Sequence, residues 1–302
     1  GSSYDPIKYV ICDSTKNKWR KLTHVYIGRD LGEGRRGLVS KFSLRNRPFL
    51  GPTSTDAELA FLMANQAQCK PGSIVIDTFV GTGSILLPLA YFGAHCFGTD
   101  IDIRILKGTG KRRTKKTLRT NFEFYGLPMP ELLRCDASER GSSMLRSDNL
   151  FDAIVCDPPY GIRAGARKSG SASRVEYKVS KRDMPHHIPK TQPYDVDDIL
   201  DDMIENAARM LKLKGRLVFL LPACVGMSVK ELPLHPCLRL RDASEQRCSS
   251  TMSRWLITYV SLSLSLCLDL QPTTTTTTHL CVTDTKKFNN MRSQDDPNIS
   301  RF

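Results

Sequence analysis

Asp157-Pro158-Pro159-Tyr160 places a carboxylate, two residues without backbone donors and an aromatic ring in four consecutive positions. The apolar run FDAIVC just before it reads as a buried strand, so the four residues stand at a strand tip. Such a set can hold a planar ring that bears an exocyclic amine. The ring would stack on Tyr160, while Asp157 and the Pro158 carbonyl accept the amine hydrogens. Those bonds draw the nitrogen lone pair out of conjugation and aim it at an electrophile. The plainer reading is a strand that stops at a proline turn.

Three further carboxylates end predicted strands. Asp77 closes SIVID and precedes Phe79 and the glycines Gly81 and Gly83. Glycines there let the backbone bend and approach a ligand closely. The pattern is not G-x-G-x-x-G, because Leu86 occupies the third glycine's place, so a dinucleotide pyrophosphate is not the natural ligand. Asp77 would repel phosphate further and suits a cationic group such as an ammonium. Asp100, with Ile101 and Asp102 behind it, lies about 20 residues after the glycines, where an acid meets ribose hydroxyls; a helix cap is the plainer role. Asp136, followed by Ala137, can accept a hydrogen bond from an adenine amine or serve as a turn aspartate. In a parallel sheet all these tips face one crevice. Together they suit a ligand with an ammonium, a ribose and an adenine but no phosphate, and S-adenosyl-L-methionine has those parts.

The elements that must carry these residues follow from periodicity. Strands are predicted in SIVIDTFV, AHCFGTDI, PELLRCDA, FDAIVCDP and GRLVFLLP, with LRLRDASEQ and SRWLITYV as a closing pair. Helices are predicted after the glycines in ILLPLAYFG, in TKKTLRTNFEFYG, and in DVDDILDDMIENAARMLKLKG, whose apolar stripe runs from Val196 to Leu211 with Gly215 as the stop. Pro88 should distort the first of these. Thr55 and Glu58 fit a capping box ahead of ELAFLMANQA. Alternating strands and helices argue for a doubly wound α/β sheet. Three segments are expected: residues 1–40, too little for an independent domain and, by the family resemblance given below, a remnant of an N-terminal RNA-binding region and linker; 41–262 as the main domain; and a low-complexity tail, 263–302. The apolar stretch Trp255–Leu270 is interrupted by serines and shorter than the ~20 residues of a membrane span.

The net charge of +13 favours a polyanionic partner. Two basic runs flank the presumed crevice. Residues 104–119 hold eight Lys or Arg and no acid, among them Arg112, Arg113, Lys115 and Lys116. Arg163, Arg167, Lys168, Arg174, Lys178, Lys181 and Arg182 follow the DPPY stretch. A charge run alone is a solvated face; two beside one crevice read as a track for a phosphate backbone. The ten cysteines contain no C-x-x-C pair, and His186 and His187 lack spaced partners, so no metal site is expected. Unpaired cysteines in apolar runs suit a reducing, cytoplasmic setting. The opening GSSYDP, without an initiator methionine, suggests a fragment.

DTFVGTGS, GTDID, DPPYGIR and the upstream RPFLGPTSTDAELAFLMANQA together resemble the methyltransferases that carry a THUMP domain. LPLHPCLRL, RDASEQRCSS and SRWLIT narrow the resemblance to the catalytic subunits of eukaryotic tRNA (guanine-10-N2) methyltransferases, over roughly residues 20–259. The resemblance implies a Rossmann-like seven-stranded S-adenosylmethionine-dependent fold and N2-methylguanosine formation in tRNA. It also implies a small zinc-binding activator subunit, docked on the third-strand edge near Leu132–Asp136. By position, Asp77, Phe79, Gly81, Gly83, Asp100, Ile101, Asp136 and Ala137 would hold the cofactor, and Asp157, Pro158, Pro159 and Tyr160 would act on the acceptor. The chain departs from the family at Thr78, where relatives carry proline, at Pro88, in most of the THUMP domain, and after about residue 260. Adenine-N6 methylation and a non-catalytic RNA-binding scaffold are the alternative readings.

Overall fold

The computed structural model describes residues 9–13, 25–29, 33–51, 54–108, 116–138, 149–160, 165–170 and 191–262. It divides into two compact units between Lys41 and Phe42. The first contains β1 (Tyr9–Asp13) and β2 (Val25–Arg29), an antiparallel pair with Ile11 opposite Ile27, and a short helix α1 (Gly37–Lys41).

The second unit is built on a seven-stranded sheet. In chain order its strands are β3 (Ile74–Asp77), β4 (His95–Asp100), β5 (Glu131–Arg134), β6 (Phe151–Cys156), β9 (Leu211–Cys224), β10 (Leu238–Arg247) and β11 (Met252–Ser261). In space they run β10-β11-β9-β6-β3-β4-β5. The strands from β5 to β9 are mutually parallel, while β11 is antiparallel to both β9 and β10. All seven predicted strands are present, and the expected closing pair is β10–β11. The chain winds outward from β3 through β4 to β5, then returns to β6 on the other side of β3. That reversal opens a crevice at the carboxyl ends of β3 and β6, where ligands of such sheets bind.

The central strands read as unbroken apolar runs because helices cover both faces. Helix α6 (Val196–Met210) lays Leu200, Met203, Ile204, Ala207 and Met210 on a cluster with Ile154, Leu217, Phe219 and Tyr259. The apolar stripe from Ile199 to Ala207 is buried as its 3.6-residue period requires. On α2 (Ala57–Gln66), Phe61 meets Phe42 edge-on at 5.4 Å, and Phe42 also stacks on Tyr125 at 4.4 Å. A small hairpin of β7 (Arg167–Ser169) and β8 (Thr191–Pro193) completes the described residues.

Several boundaries differ from expectation. Helix α6 stops at Met210 rather than at Gly215; Leu211 is extended and pairs with Phe151. Leu211 is fully buried as a strand residue, and a helix would have buried it equally, so periodicity could not separate the two. The extra residues before Arg216 form an irregularity, with Lys214 in the left-handed region. Asp56 caps α2 through the Glu58 N–H, whereas Thr55 is buried and its carbonyl accepts a hydrogen bond from Arg47. Helix α5 (Leu118–Tyr125) begins at a Thr117–Thr120 capping box, four residues later than expected. Pro88 lies in the first turn of α3 (Leu86–Tyr91), where proline is tolerated, and the helix continues through it to Tyr91. Trp255 to Ser261 is strand β11, and among the described residues no helix is long and apolar enough to cross a membrane. Arg112, Arg113, Lys115, Arg163, Arg174, Lys178, Lys181, Arg182, His186, His187 and the 263–302 tail lie outside the described residues.

Candidate active site

The four predicted tips converge on the crevice. Asp77 ends β3 and is 1% exposed. One oxygen accepts the Phe79 N–H at 2.9 Å. Burial pushes its carboxyl well above the usual range, and the nearby Asp157 and Asp100 carboxylates push it further. Asp100 ends β4 and accepts the Gly81 N–H at 3.0 Å on one oxygen and the Asp102 N–H at 2.8 Å on the other. Burial raises its carboxyl too. Asp100 therefore ties the glycine turn to the start of α4 (Ile103–Lys107). Asp102 plays the plainer role: it caps α4 through the Arg104 N–H and pairs with the Arg104 side chain at 2.7 Å, which holds its carboxyl below the usual range.

Gly81 and Gly83 both adopt positive φ, which an L side chain resists. A Cβ on Gly83 would sit 2.6 Å from the Leu118 side chain, so α5 packs directly on the turn. Beyond β5, both oxygens of Asp136 are engaged, by the Ser138 N–H at 3.0 Å and the Ser169 N–H at 2.6 Å. The second bond brings the β7–β8 hairpin over this tip, where Ala166 and Tyr194 pack with Phe79 and Ile199. A cavity between these tips and α6 is lined by Thr78, Phe79, Thr99, Cys135, Asp136, Ala137, Ile154, Met203, Asn206 and Met210. The Asn206 amide donates to the Ala137 carbonyl at 3.1 Å and closes one wall.

Asp157 follows β6, half-buried, with Pro158 buried beside it. Tyr160 departs from expectation. Its ring belongs to the core cluster and is 5% exposed, rather than forming an open stacking face. Among the described residues its hydroxyl is buried without a hydrogen-bond partner, and desolvation pushes the phenol well above its usual range. An aromatic ring after two prolines can turn outward or inward; here the space beneath β6 and β9 takes it in.

The basic residues are divided. Lys116 is exposed. Arg167 is exposed but donates to the Thr191 hydroxyl and to its carbonyl at 2.7 Å, which joins β7 to β8. Lys168 pairs with Asp198 at 2.7 Å and lies 4.9 Å from the centre of the Tyr194 ring. Its charge is paired within the chain here. The sequence reading missed Ser169, Asn206 and Met203 as site neighbours. Nothing local marks them, since they reach the crevice only through the hairpin and α6.

A buried carboxyl crowded by two others repels anions and suits a cation, and glycines at the adjoining turn allow close approach. Comparison with known proteins fits this geometry. Residues 45–182 match a family model described as an RMKL-like methyltransferase domain. The tRNA (guanine(10)-N(2))-methyltransferase TRMT11 of Homo sapiens is 40% identical over 248 residues, which are 78% of this chain and 53% of that protein. The protein of the same name from Dictyostelium discoideum is 41% identical over 223 residues, 73% of this chain and 43% of that protein. Over most of its length the chain is similar to these methyltransferases. It spans about half the length of the curated relatives it matches. Among solved structures, TrmN from Thermus thermophilus is similar at 21% identity with a TM-score of 0.46, covering 79% of this chain and 57% of that one. The residues that match the methyltransferase-domain model include all four carboxylate tips. The sheet beneath them is a Rossmann-like fold of seven strands.

Proposed function

We propose that this chain transfers a methyl group from S-adenosylmethionine to the exocyclic N2 amine of a guanosine in tRNA. The observation that carries the reading is the trio Asp77, Asp100 and Asp157. It is a nest of carboxyls at adjoining strand tips, with Asp77 buried and the other two raising it further. A ligand with a cationic amino-acid end and a sulfonium relieves that repulsion; a phosphate-bearing one adds to it. Asp77 would meet the ammonium, Asp100 the ribose and Asp136 the adenine amine, with Phe79, Ile101 and Ala137 as apolar walls. Gly81 and Gly83 would let the backbone close on the ligand.

When bound, S-adenosylmethionine supplies an electrophilic methyl group on sulfur. The chain's own part is to hold the acceptor. Asp157 and the Pro158 carbonyl accept the two hydrogens of the guanine amine and turn its lone pair toward the crevice. Pro159 fixes the backbone that aims them. As the new N–C bond forms, Asp157 is placed to take the proton the nitrogen loses. Tyr160 supports this tip from the core, and its ring becomes a stacking face only if it leaves that packing.

Guanosine at position 10 of tRNA is the substrate that the TRMT11 relatives' name supports. The exposed Lys116, the basic run before it and the net charge of +13 suit a phosphate backbone. For a protein partner, the β5 edge is the candidate. Among the described residues it is unpaired on one side, and Leu133 is 46% exposed, with Phe124 and Met129 also exposed. A small zinc-binding activator that adds a strand there is the partner we propose. The test is transfer of labelled methyl to unmodified tRNA with and without that subunit, followed by identification of the nucleoside. N2-methylguanosine supports the reading; N6-methyladenosine, or no product in the presence of the subunit, overturns it.

A further inference from the structure

Arg47 is 6% exposed, and among the described residues it forms no salt bridge. Burial holds its guanidinium below the usual range, opposed by the Tyr125 hydroxyl beside it and, next, by Asp56. Neutral oxygens hold it: the Phe42 carbonyl at 3.1 Å, the Thr55 carbonyl at 3.5 Å and the Ser84 hydroxyl at 2.7 Å. A desolvated cation costs several kcal/mol, and a neutral amide could bridge oxygens as well. The charge therefore calls for a reason beyond bracing the chain.

The Ser84 contact supplies it. Ser84 follows the glycine turn, and its hydroxyl lies 3.3 Å from that of Thr82, the residue between Gly81 and Gly83. The Thr82 hydroxyl lies 2.9 Å from that of Ser54, which in turn accepts the Gly51 N–H at 3.0 Å. A Cβ on Gly51 would stand 2.7 Å from the Thr82 methyl, so the upstream segment rests on the turn. Two glycines at positive φ give the turn little stiffness of its own. Its far side is tied by the Gly81 N–H to Asp100.

We infer that Arg47 is a positioning residue for the Gly81–Gly83 turn and acts through the hydroxyls of Ser84, Thr82 and Ser54. Arg47 and the Gly51 N–H donate into the two ends of this chain. Ser84 and Ser54 then direct their own protons inward to Thr82. The half-buried Thr82 hydroxyl is left as the outgoing donor, biased by a buried cation toward an anionic group. The carboxylate of the cofactor's amino-acid end is that group, a point that rests on the function proposed above.

The test uses Ser84→Ala in the 302-residue chain, because it cuts the link while leaving Arg47 its two carbonyls. In the protein without ligand, amide exchange at Gly81 and Gly83 should quicken about tenfold while amides of β3 and β6 keep wild-type rates. Calorimetry should show S-adenosylmethionine affinity falling about tenfold. Arg47→Lys combined with Ser84→Ala should bind no more weakly than Arg47→Lys alone. Wild-type exchange at the turn in Ser84→Ala, or faster exchange spread evenly over the sheet, would overturn the inference. If the wild-type chain failed to bind S-adenosylmethionine, the cofactor reading would fall, and the exchange rates would still decide the role of Arg47. Should Arg47→Lys not fold, the exchange rates of Ser84→Ala suffice to support or overturn that role.

Discussion

Asp77 and Asp157 make opposite predictions from one neighbourhood. Asp157→Ala should lower methyl transfer by more than about 100-fold, because positioning and proton acceptance are both lost. S-adenosylmethionine affinity should change less than about threefold, within the effect of one neutral hydrogen bond; retained transfer would sink the assignment. Asp77→Asn should instead weaken binding by ~10- to 100-fold, the scale of a charge-assisted bond. The sign with pH follows from burial. The Asp77 carboxyl is raised in the folded chain, so the stability tied to its neutral form is complete at acid pH. That stability declines as pH climbs through the raised value. Unfolding free energies measured in urea should show this fall without ligand, and Asp77→Asn should flatten it. Ligand affinity should rise over the same interval. Tyr160→Phe removes a buried, unpartnered hydroxyl, so it should unfold at an equal or higher denaturant concentration than wild type. The carboxylates were legible because each ends an apolar run. The inward turn of Tyr160 and the burial of Arg47 were not, since both residue types more often keep their polar ends wet.

At the scale of elements, the glycine turn is fixed from outside by α5. Gly83→Ala would force a Cβ into Leu118 at a φ of +76°. Overpacking and left-handed strain together should cost about 2–4 kcal/mol, read as a lower urea midpoint; a change under about 0.5 kcal/mol would contradict the packing described. The seven strands were legible because a buried parallel strand is a short apolar run bounded by turn residues. The helix-to-strand change at Leu211 was not, because that leucine is buried under either assignment. The β7–β8 hairpin was equally silent. Arg167, Lys168 and Ser169 look like a solvated basic stretch, and only pairing with Thr191–Pro193 brings the Ser169 N–H to Asp136.

At the scale of the molecule, a chain with a net charge of +13 carries acidic strand tips at its crevice. Binding of tRNA should therefore weaken steeply between 50 and 200 mM salt, roughly as expected for several phosphate contacts. S-adenosylmethionine binding should be much less sensitive to salt over that range, since Asp77 and Asp136, which would hold its charged and polar ends, are buried. Filter binding and calorimetry across a salt series would check both, and parallel salt slopes would refute the division.

The two sides of the sheet end differently. β10 closes one with Arg239, Arg241, Asp242, Glu245 and Arg247, charges that discourage further strands. β5 closes the other with Glu131-Leu132-Leu133-Arg134, and its two leucines are partly or largely uncovered. A strand offered in this way accepts any extended backbone that reaches it, including that of another copy. The amount of working chain in a cell would then be governed by supply. With the partner proposed above, a chain made in excess over that subunit would be drawn into self-pairing, and one made in step with it would find its edge already covered.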